Sequence, residues 1–416
     1  MTATDPHRAI EAVFRIESPK LIAGLTRYVR DVGLAEDLAQ DAMVAALERW
    51  PETGVPEKPG AWLMATAKRR AIDVVRRAPM LERKHAELAR ELEAREAPDF
   101  DEALDDPVGD DLLRLMFIAC HPVLTTDARV ALTLRLIGSL TTAEIARAFL
   151  VPEATVAQRI VRAKKTLADA GVPFEVPRGD ELASRLAGVA EVIYRVFNEG
   201  YSATAGEDWV RPGLCEDAMR LGRVLAELAP GESEVHGLVA LMEIQASRLR
   251  ARTGPSGEPI LLLDQNRMLW DRLLIARGLT ALARAESLGG ARGPYALQAA
   301  IAACHARALT GDATDWARIV TLYEDLGRVA PSPVVELNRA VAVSMASGPA
   351  AALPLVDALA NEPSLRAYHH LPSVRGDLLV KLGRAREARR EFERAASLTR
   401  NERERHLLLE RAQQCA

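Results

Sequence analysis

Apolar residues recur at three- and four-residue intervals along most of the chain, and period-two runs of β-branched residues are hard to find. This pattern predicts an all-α protein. Ile10, Val13 and Phe14 begin a stripe that Leu21, Leu25 and Tyr28 continue after Pro19. Leu38, Ala42, Ala45 and Ala46 mark the buried side of a second helix, Leu34 to Trp50. Three prolines and two glycines between Pro51 and Gly60 predict a loop. A third helix runs from Ala61 to Arg77, with Trp62, Ala65, Ile72 and Val75 as its packing residues. Residues 4–77 thus form a first domain of three or four helices. Residues 78–111 carry too few large apolar side chains for a core and read as a linker. Helical periodicity resumes over 112–172 and stops at Gly171-Val172-Pro173.

From 180 to 416 the chain is helical again, with turns at Gly200, Pro212-Gly213, Pro230-Gly231, Gly254–Gly257 and Gly289-Gly290. It divides into a helical extension, 180–290, and a repeat-like stretch, 291–416. Gly376, Gly383, Ala388, Phe392 and Ala395 fall at the offsets of a tetratricopeptide unit. Pro294–Leu326 and Pro333–Leu359 look like degenerate copies of it.

Composition agrees with helices: Ala, Leu, Arg and Glu are abundant and aromatics make up only 4% of the 416 residues. The net charge of −4 argues against a nucleic-acid partner until it is located along the chain. Lys68, Arg69, Arg70, Arg76 and Arg77 crowd one stretch, and Arg159, Arg162, Lys164 and Lys165 another. Between them, from Glu82 to Asp106, acids outnumber bases by ten to four. Local charge, not the total, meets phosphate. The four cysteines lack paired or zinc-ligand spacing, so neither disulfides nor a metal or other cofactor is expected. No Gly-rich phosphate loop or Ser-His-Asp set is present, which argues against an enzyme. The N-terminus resembles no signal peptide and no apolar run is long enough to span a bilayer, so a cytoplasmic location is expected.

The most informative stretch is Leu140 to Ile160. Thr141 or Thr142 caps a short helix with Glu144 in its first turn. Ile145, Ala146 and Phe149 face inward, Leu150-Val151-Pro152 turns the chain, and Pro152 or Glu153 opens a second helix. There Val156, Ile160 and Ala163 are core positions. That leaves Thr155, Gln158, Arg159 and Arg162 outward for a DNA groove, with Ala154 at the helix start and Lys164 and Lys165 toward phosphates. A helix-turn-helix alone also fits an activator with a repeat-type sensor domain.

Two further motifs narrow the choice. Ala35-Glu36-Asp37-Leu38-Ala39-Gln40-Asp41-Ala42, then Trp62-Leu63-Met64-Ala65-Thr66-Ala67-Lys68-Arg69-Arg70-Ala71-Ile72-Asp73 with Arg76-Arg77, closely resemble the sigma-70 family of RNA polymerase, in its extracytoplasmic-function branch. The resemblance covers about 170 residues, with the motifs in the family's order. It implies a promoter-directing subunit that binds core RNA polymerase through the β′ clamp helices and the β flap. By position, Asp37, Leu38, Gln40 and Asp41 match the polymerase-docking surface. Trp62, Lys68, Arg69, Arg70, Asp73, Arg76 and Arg77 match the part engaging the −10 element, with Val55–Gly60 in the place of a base-capturing loop. Arg69 stands where the family often has Asn. Ala154, Thr155, Gln158, Arg159, Arg162, Lys164 and Lys165 match the −35 reader, and the acidic linker matches the segment near the polymerase active centre.

Most such factors end soon after the helix-turn-helix; this chain resembles the subgroup with a long tetratricopeptide-like extension. Phe197-Asn198-Glu199-Gly200-Tyr201 and Asp264-Gln265-Asn266-Arg267-Met268-Leu269-Trp270-Asp271 fit that subgroup. The first motif reads as a hydrogen-bonded helix end. In the second, Asp264, Arg267 and Asp271 read as an ion-pair ladder along a helix. An extension of this size suggests built-in regulation, by folding on the DNA-binding domains or by binding a protein or peptide.

Overall fold

A computed structural model describes residues 6–77, 107–178, 180–289 and 292–415. Of the linker expected over 78–111, residues 78–106 lie outside the described residues, and 107–111 are not linker but the start of a helix, where Asp111 is buried. The rest is all-α, apart from two two-residue strands. Contacts divide the chain into two compact units, Met1–Val192 and Ile193–Ala416.

The first unit opens with α1 (Pro6–Val29), α2 (Val32–Thr53) and α3 (Pro59–Arg77). One sequence expectation changes here, at Pro51. α1 runs through Pro19 without a break. An internal proline costs roughly 3 kcal/mol, but Leu21, Ile22, Ala23 and Leu25 are all buried beside it and hold the helix by packing. α2 likewise continues past Pro51 to Thr53, where Gly54 donates to the Trp50 carbonyl, and Pro59 starts α3. The expected ten-residue loop shrinks to residues 54–58. The buried stripe of α3 is Leu63, Ala67 and Ala71, so Trp62, Ala65 and Ile72 sit at its margins.

Four helices follow: α4 (Pro107–Ala119), α5 (Thr126–Leu136), α6 (Thr142–Phe149) and α7 (Glu153–Asp169). Leu115, Met116, Phe117, Leu132, Leu134 and Leu136 form their core. α1 packs on α4 and touches α5, which joins the two helical groups into one unit.

α8 (Asp180–Tyr201) crosses from the first unit into the second. In the second unit, α9 (Pro212–Leu228) and α11 (Arg272–Ser287) flank α10 (Ser233–Ala246), which is buried on nearly every side. Then come α12 (Pro294–Arg307), α13 (Trp316–Val329), α14 (Pro333–Ser347), α15 (Pro349–Ala358), α16 (His370–Lys381), α17 (Ala385–Leu398) and α18 (Glu402–Gln414), each packed on the next. The repeat offsets have a physical basis: a Cβ on Gly376 would lie 2.8 Å from the Phe392 ring. Ala388, Phe392 and Ala395 are fully buried where α16 and α17 approach. β1 (Ala205–Gly206) and β2 (Arg400–Asn401) pair in parallel, and Asn401 donates to the carbonyls of Ala203 and Asp208.

Candidate nucleic-acid interface

The helix-turn-helix is built as its sequence suggests. Thr141 caps α6 in a reciprocal box with Glu144: Thr141 Oγ1 accepts from the Glu144 amide, and Glu144 accepts from the Thr141 amide. The turn closes with Leu150 in the left-handed region, φ 51°, a conformation costly for a side chain with a Cβ. α7 then starts at Glu153 and buries Val156, Ile160, Ala163 and Leu167. Phe149 is only half-buried. Ala154, Thr155, Gln158, Arg162 and Lys165 are exposed. Arg159 is half-buried and pairs with Asp127 at 3.1 Å.

α2 and α3 carry the other candidate residues. Asp37, Gln40 and Asp41 are exposed on one side of α2, whereas Leu38 is 2% exposed and belongs to the core. As a helix residue one turn from Ala35 and Ala42, Leu38 cannot also present itself to a partner. Asp41 pairs with Arg70 of α3 at 3.2 Å. Trp62 packs edge-on to the buried Trp50, ring centroids 5.3 Å apart, with part of its surface free. The Lys68 ammonium lies 4.5 Å from the Tyr28 ring. Arg69 and Asp73 are exposed. Arg76 and Arg77 end α3, and their side chains lie outside the described residues.

An ion cluster that the sequence reading passed over links these two groups. Glu36 is 3% exposed and meets Arg135 of α5 at 2.6 Å and Lys164 of α7 at 2.5 Å. Gln40 donates to the same carboxylate. Burial acts to raise the Glu36 pKa, but Lys164 and Arg135 together outweigh it and hold the carboxyl below its usual range. Nearby, Asp111 takes Arg27 at 3.2 Å and Arg114 at 2.6 Å. A signal existed: Arg135 is a lone cation in the apolar run of α5, and Glu36 shares the buried face of Ala35 and Ala39. Lys164, expected to face phosphate, therefore has an anion within its own unit.

Residues 13–79 match the model for sigma-70 region 2, and residues 114–167 match the model for sigma-70 region 4. The chain belongs to the sigma-70 family. Sigma-70 regions 2 and 4 act in transcription initiation, with core RNA polymerase and promoter DNA as partners, and are not enzymatic modules. Residues 185–286 match a family of unknown function, DUF6596. An uncharacterized protein of Rhizobium meliloti (strain 1021) is 46% identical over 387 residues, covering 92% of this chain and 90% of that one. Among the described residues, no helix of this sigma-70 family member is long and apolar enough to cross a membrane.

The extension motifs fall together in the second unit. Glu199, near the end of α8, accepts from Arg211 at 2.6 Å and from the Thr204 hydroxyl at 2.9 Å, so it ties down a helix end. The expected ladder over Asp264–Asp271 does not form, because that stretch is not an α-helix. Arg267 turns inward to the carbonyls of His305 and Ala308, Asp271 caps α11, and Asp264 is exposed. His369, His370 and Glu404 bring three donor atoms within 4.8 Å of one another. Glu404 already accepts from Thr399 at 2.5 Å and lies 2.9 Å from His369.

Proposed function

We propose that this protein is a sigma factor of the extracytoplasmic-function branch, which directs core polymerase to promoters with paired −10 and −35 elements. The observation that carries this reading is the pair of helical groups in family order, the second presenting an exposed polar face on α7. Thr155, Gln158, Arg159 and Arg162 read the −35 element, and Ala154 lets the backbone approach the groove. Lys165 and, once released, Lys164 meet phosphates. Trp62, Lys68, Arg69, Arg70, Asp73, Arg76 and Arg77 hold the −10 strand, cations on its backbone and the tryptophan face against a base. Asp37, Gln40 and Asp41 dock on basic polymerase residues; the buried Leu38 supports that helix from behind.

The domains in this reading are region 2 over 4–77, the linker expected over 78–111 but ending where α4 begins at Pro107, region 4 expected over 112–172, the extension over 180–290 and tetratricopeptide-like repeats over 291–416. The last two regulate activity, and the protein works in the cytoplasm.

The compact first unit sets a condition on this activity. Two elements about 25 base pairs apart lie about 85 Å apart along the duplex, at about 3.4 Å per step. A compact body of about 160 residues, the described part of this unit, has a radius of gyration near 15 Å, about 40 Å across. Both elements are reached only when the Glu36 cluster opens. Polymerase and DNA supply the replacement partners: basic docking residues for the acidic face of α2, phosphates for Lys164.

Run-off transcription with purified core polymerase and no other sigma factor tests the assignment. Specific initiation is expected, and Asp37→Lys with Asp41→Lys should abolish it while the fold is kept, with only the small loss of stability due to the half-exposed Asp41–Arg70 pair. Transcription only in the presence of a second sigma factor would replace this reading with that of an activator.

A further inference from the structure

The two extension motifs meet around three arginines that no carboxylate neutralises among the described residues. Arg248 follows α10, and its guanidinium carbon lies 5.8 Å from the Tyr201 ring and 5.8 Å from the Trp270 ring. Arg252 stacks on Tyr201 at 3.8 Å and donates to the Tyr201 carbonyl. Arg267 lies 4.9 Å from the Trp270 ring and donates to His305 O, Ala308 O and Thr314 Oγ1. The carboxylates of this region serve other cations: Glu199 takes Arg211, and Glu243 takes Arg223 and Arg277.

Helix ends account for two of the three. Arg252 and Arg267 sit on carbonyls at the ends of α8 and α12, where the helix dipole is negative. Arg248 has no such role. Among the described residues its side chain makes no hydrogen bond or ion pair, and its Nε is buried without a partner. Arg252 Nε, Trp209 Nε1 and Trp270 Nε1 are also buried donors without acceptors. Buried donors in folded proteins are nearly always paired, so several in one place point to a missing acceptor. The electrostatics agree. Burial and then the Arg248 charge lower the Arg267 pKa, and burial with Arg248 and Arg267 pushes His305 down to about 3. Arg248 is the common neighbour whose charge the others oppose.

We propose that Arg248 binds a small oxyanion, a phosphoryl or carboxylate group, held by its fork beside the Tyr201 and Trp270 rings. Guanidinium forks recognise planar and tetrahedral oxyanions through paired charge-assisted hydrogen bonds. Arg252 and Arg267 supply fixed positive potential, and the indole N–H groups are the remaining donors. Such a ligand would make the extension a metabolite-responsive part of the protein. The inference goes beyond the promoter reading, and binding is measured without polymerase or DNA, so its failure leaves that reading intact.

The test uses the full chain, with inorganic phosphate and malonate titrated separately at ionic strength held constant with chloride. Calorimetry and thermal melting are the readouts. At least one of the two anions should bind and raise the melting temperature, and the one preferred identifies the ligand class. Arg248→Met, which breaks no hydrogen bond, should weaken that binding about ten- to hundredfold without lowering the melting temperature of the free protein. Where Arg248→Met fails to fold, Arg248→Lys, which keeps the charge and loses the fork, should still weaken binding. Failure of both anions to bind, or unchanged affinity in the Arg248 variant, would overturn the proposal.

Discussion

The two units of this protein share carboxylate–cation pairs but differ in one group of arginines. In the first, cations meet buried carboxylates: Arg135 and Lys164 reach Glu36 from other helices, and Asp111 takes Arg27 from another helix and Arg114 from its own. The second has such pairs too, Arg211 on Glu199 and Arg223 on Glu243, but there Arg252 and Arg267 meet carbonyl oxygens and aromatic faces, and Arg248 meets aromatic faces alone. Ion pairs between mobile side chains are exchangeable, since phosphates or a partner's charges can take either half. Carbonyl groups at helix ends cannot leave without unfolding the helix. The first pattern suits a module that must rearrange on polymerase and DNA, the second a rigid frame.

The largest effect should come from breaking the frame. Phe392 is fully buried against Gly376, so Phe392→Ala should cost about 3–5 kcal/mol. Chemical denaturation should then show the second unit melting earlier while the first keeps its midpoint. Glu36→Gln attacks the exchangeable side instead. It leaves Arg135 and Lys164 facing a neutral amide; because those side chains are 23% and 19% exposed, the cost is discounted to about 1–3 kcal/mol. The comparison is sharpest if this variant loses stability as free protein yet initiates transcription at least as well as wild type. Loss of both in equal measure would mean that the cluster is architectural.

Acid separates the units further. Glu36 has a folded pKa depressed below its ordinary 4.5. Its stabilisation is present above that value and fades as pH falls through the folded pKa. His305 is held at about 3 against an ordinary 6.5, so the unfolded chain takes up its proton first. Stability of the second unit therefore declines as pH drops below 6.5, about 1.4 kcal/mol for each unit of pH. Scanning calorimetry between neutral pH and pH 5 should show the second unit weakening first, and His305→Gln should flatten that dependence.

How much of this was legible depends on range. The helix-turn-helix was readable because its signals are local: Thr141 with Glu144, the Leu150-Val151-Pro152 turn, the spacing of Val156, Ile160 and Ala163. The Gly376–Phe392 hairpin was readable for the same reason. Pro51 misleads because propensity is local and the packing that overrides it is not. The Arg267 ladder failed because a guanidinium in an irregular stretch seeks carbonyls 38 and 41 residues away, which no spacing rule reports. Motif position puts Leu38 on a partner surface, whereas its helical phase with Ala35 and Ala42 marks it as core. Glu36 is the instructive miss, since its partners lie 99 and 128 residues downstream and only the fold brings them together.

The smallest predicted effect tests whether that cluster governs DNA contact. Lys164 and Lys165 are neighbours on α7, but Lys165 is exposed while Lys164 holds Glu36. Each lysine that meets a phosphate adds close to one to the slope of log K against log salt. For the full chain on a −35 duplex, Lys165→Ala should therefore reduce the slope by about one in any background. Lys164→Ala should change it little in the wild type, where the ammonium has a carboxylate partner, and by about one when combined with Glu36→Gln. Fluorescence anisotropy across a salt series measures all four variants. Equal slopes for the two lysines in the wild type would mean that DNA strips Lys164 from Glu36 without cost, and that the contact between the two helical groups exerts no control over promoter binding.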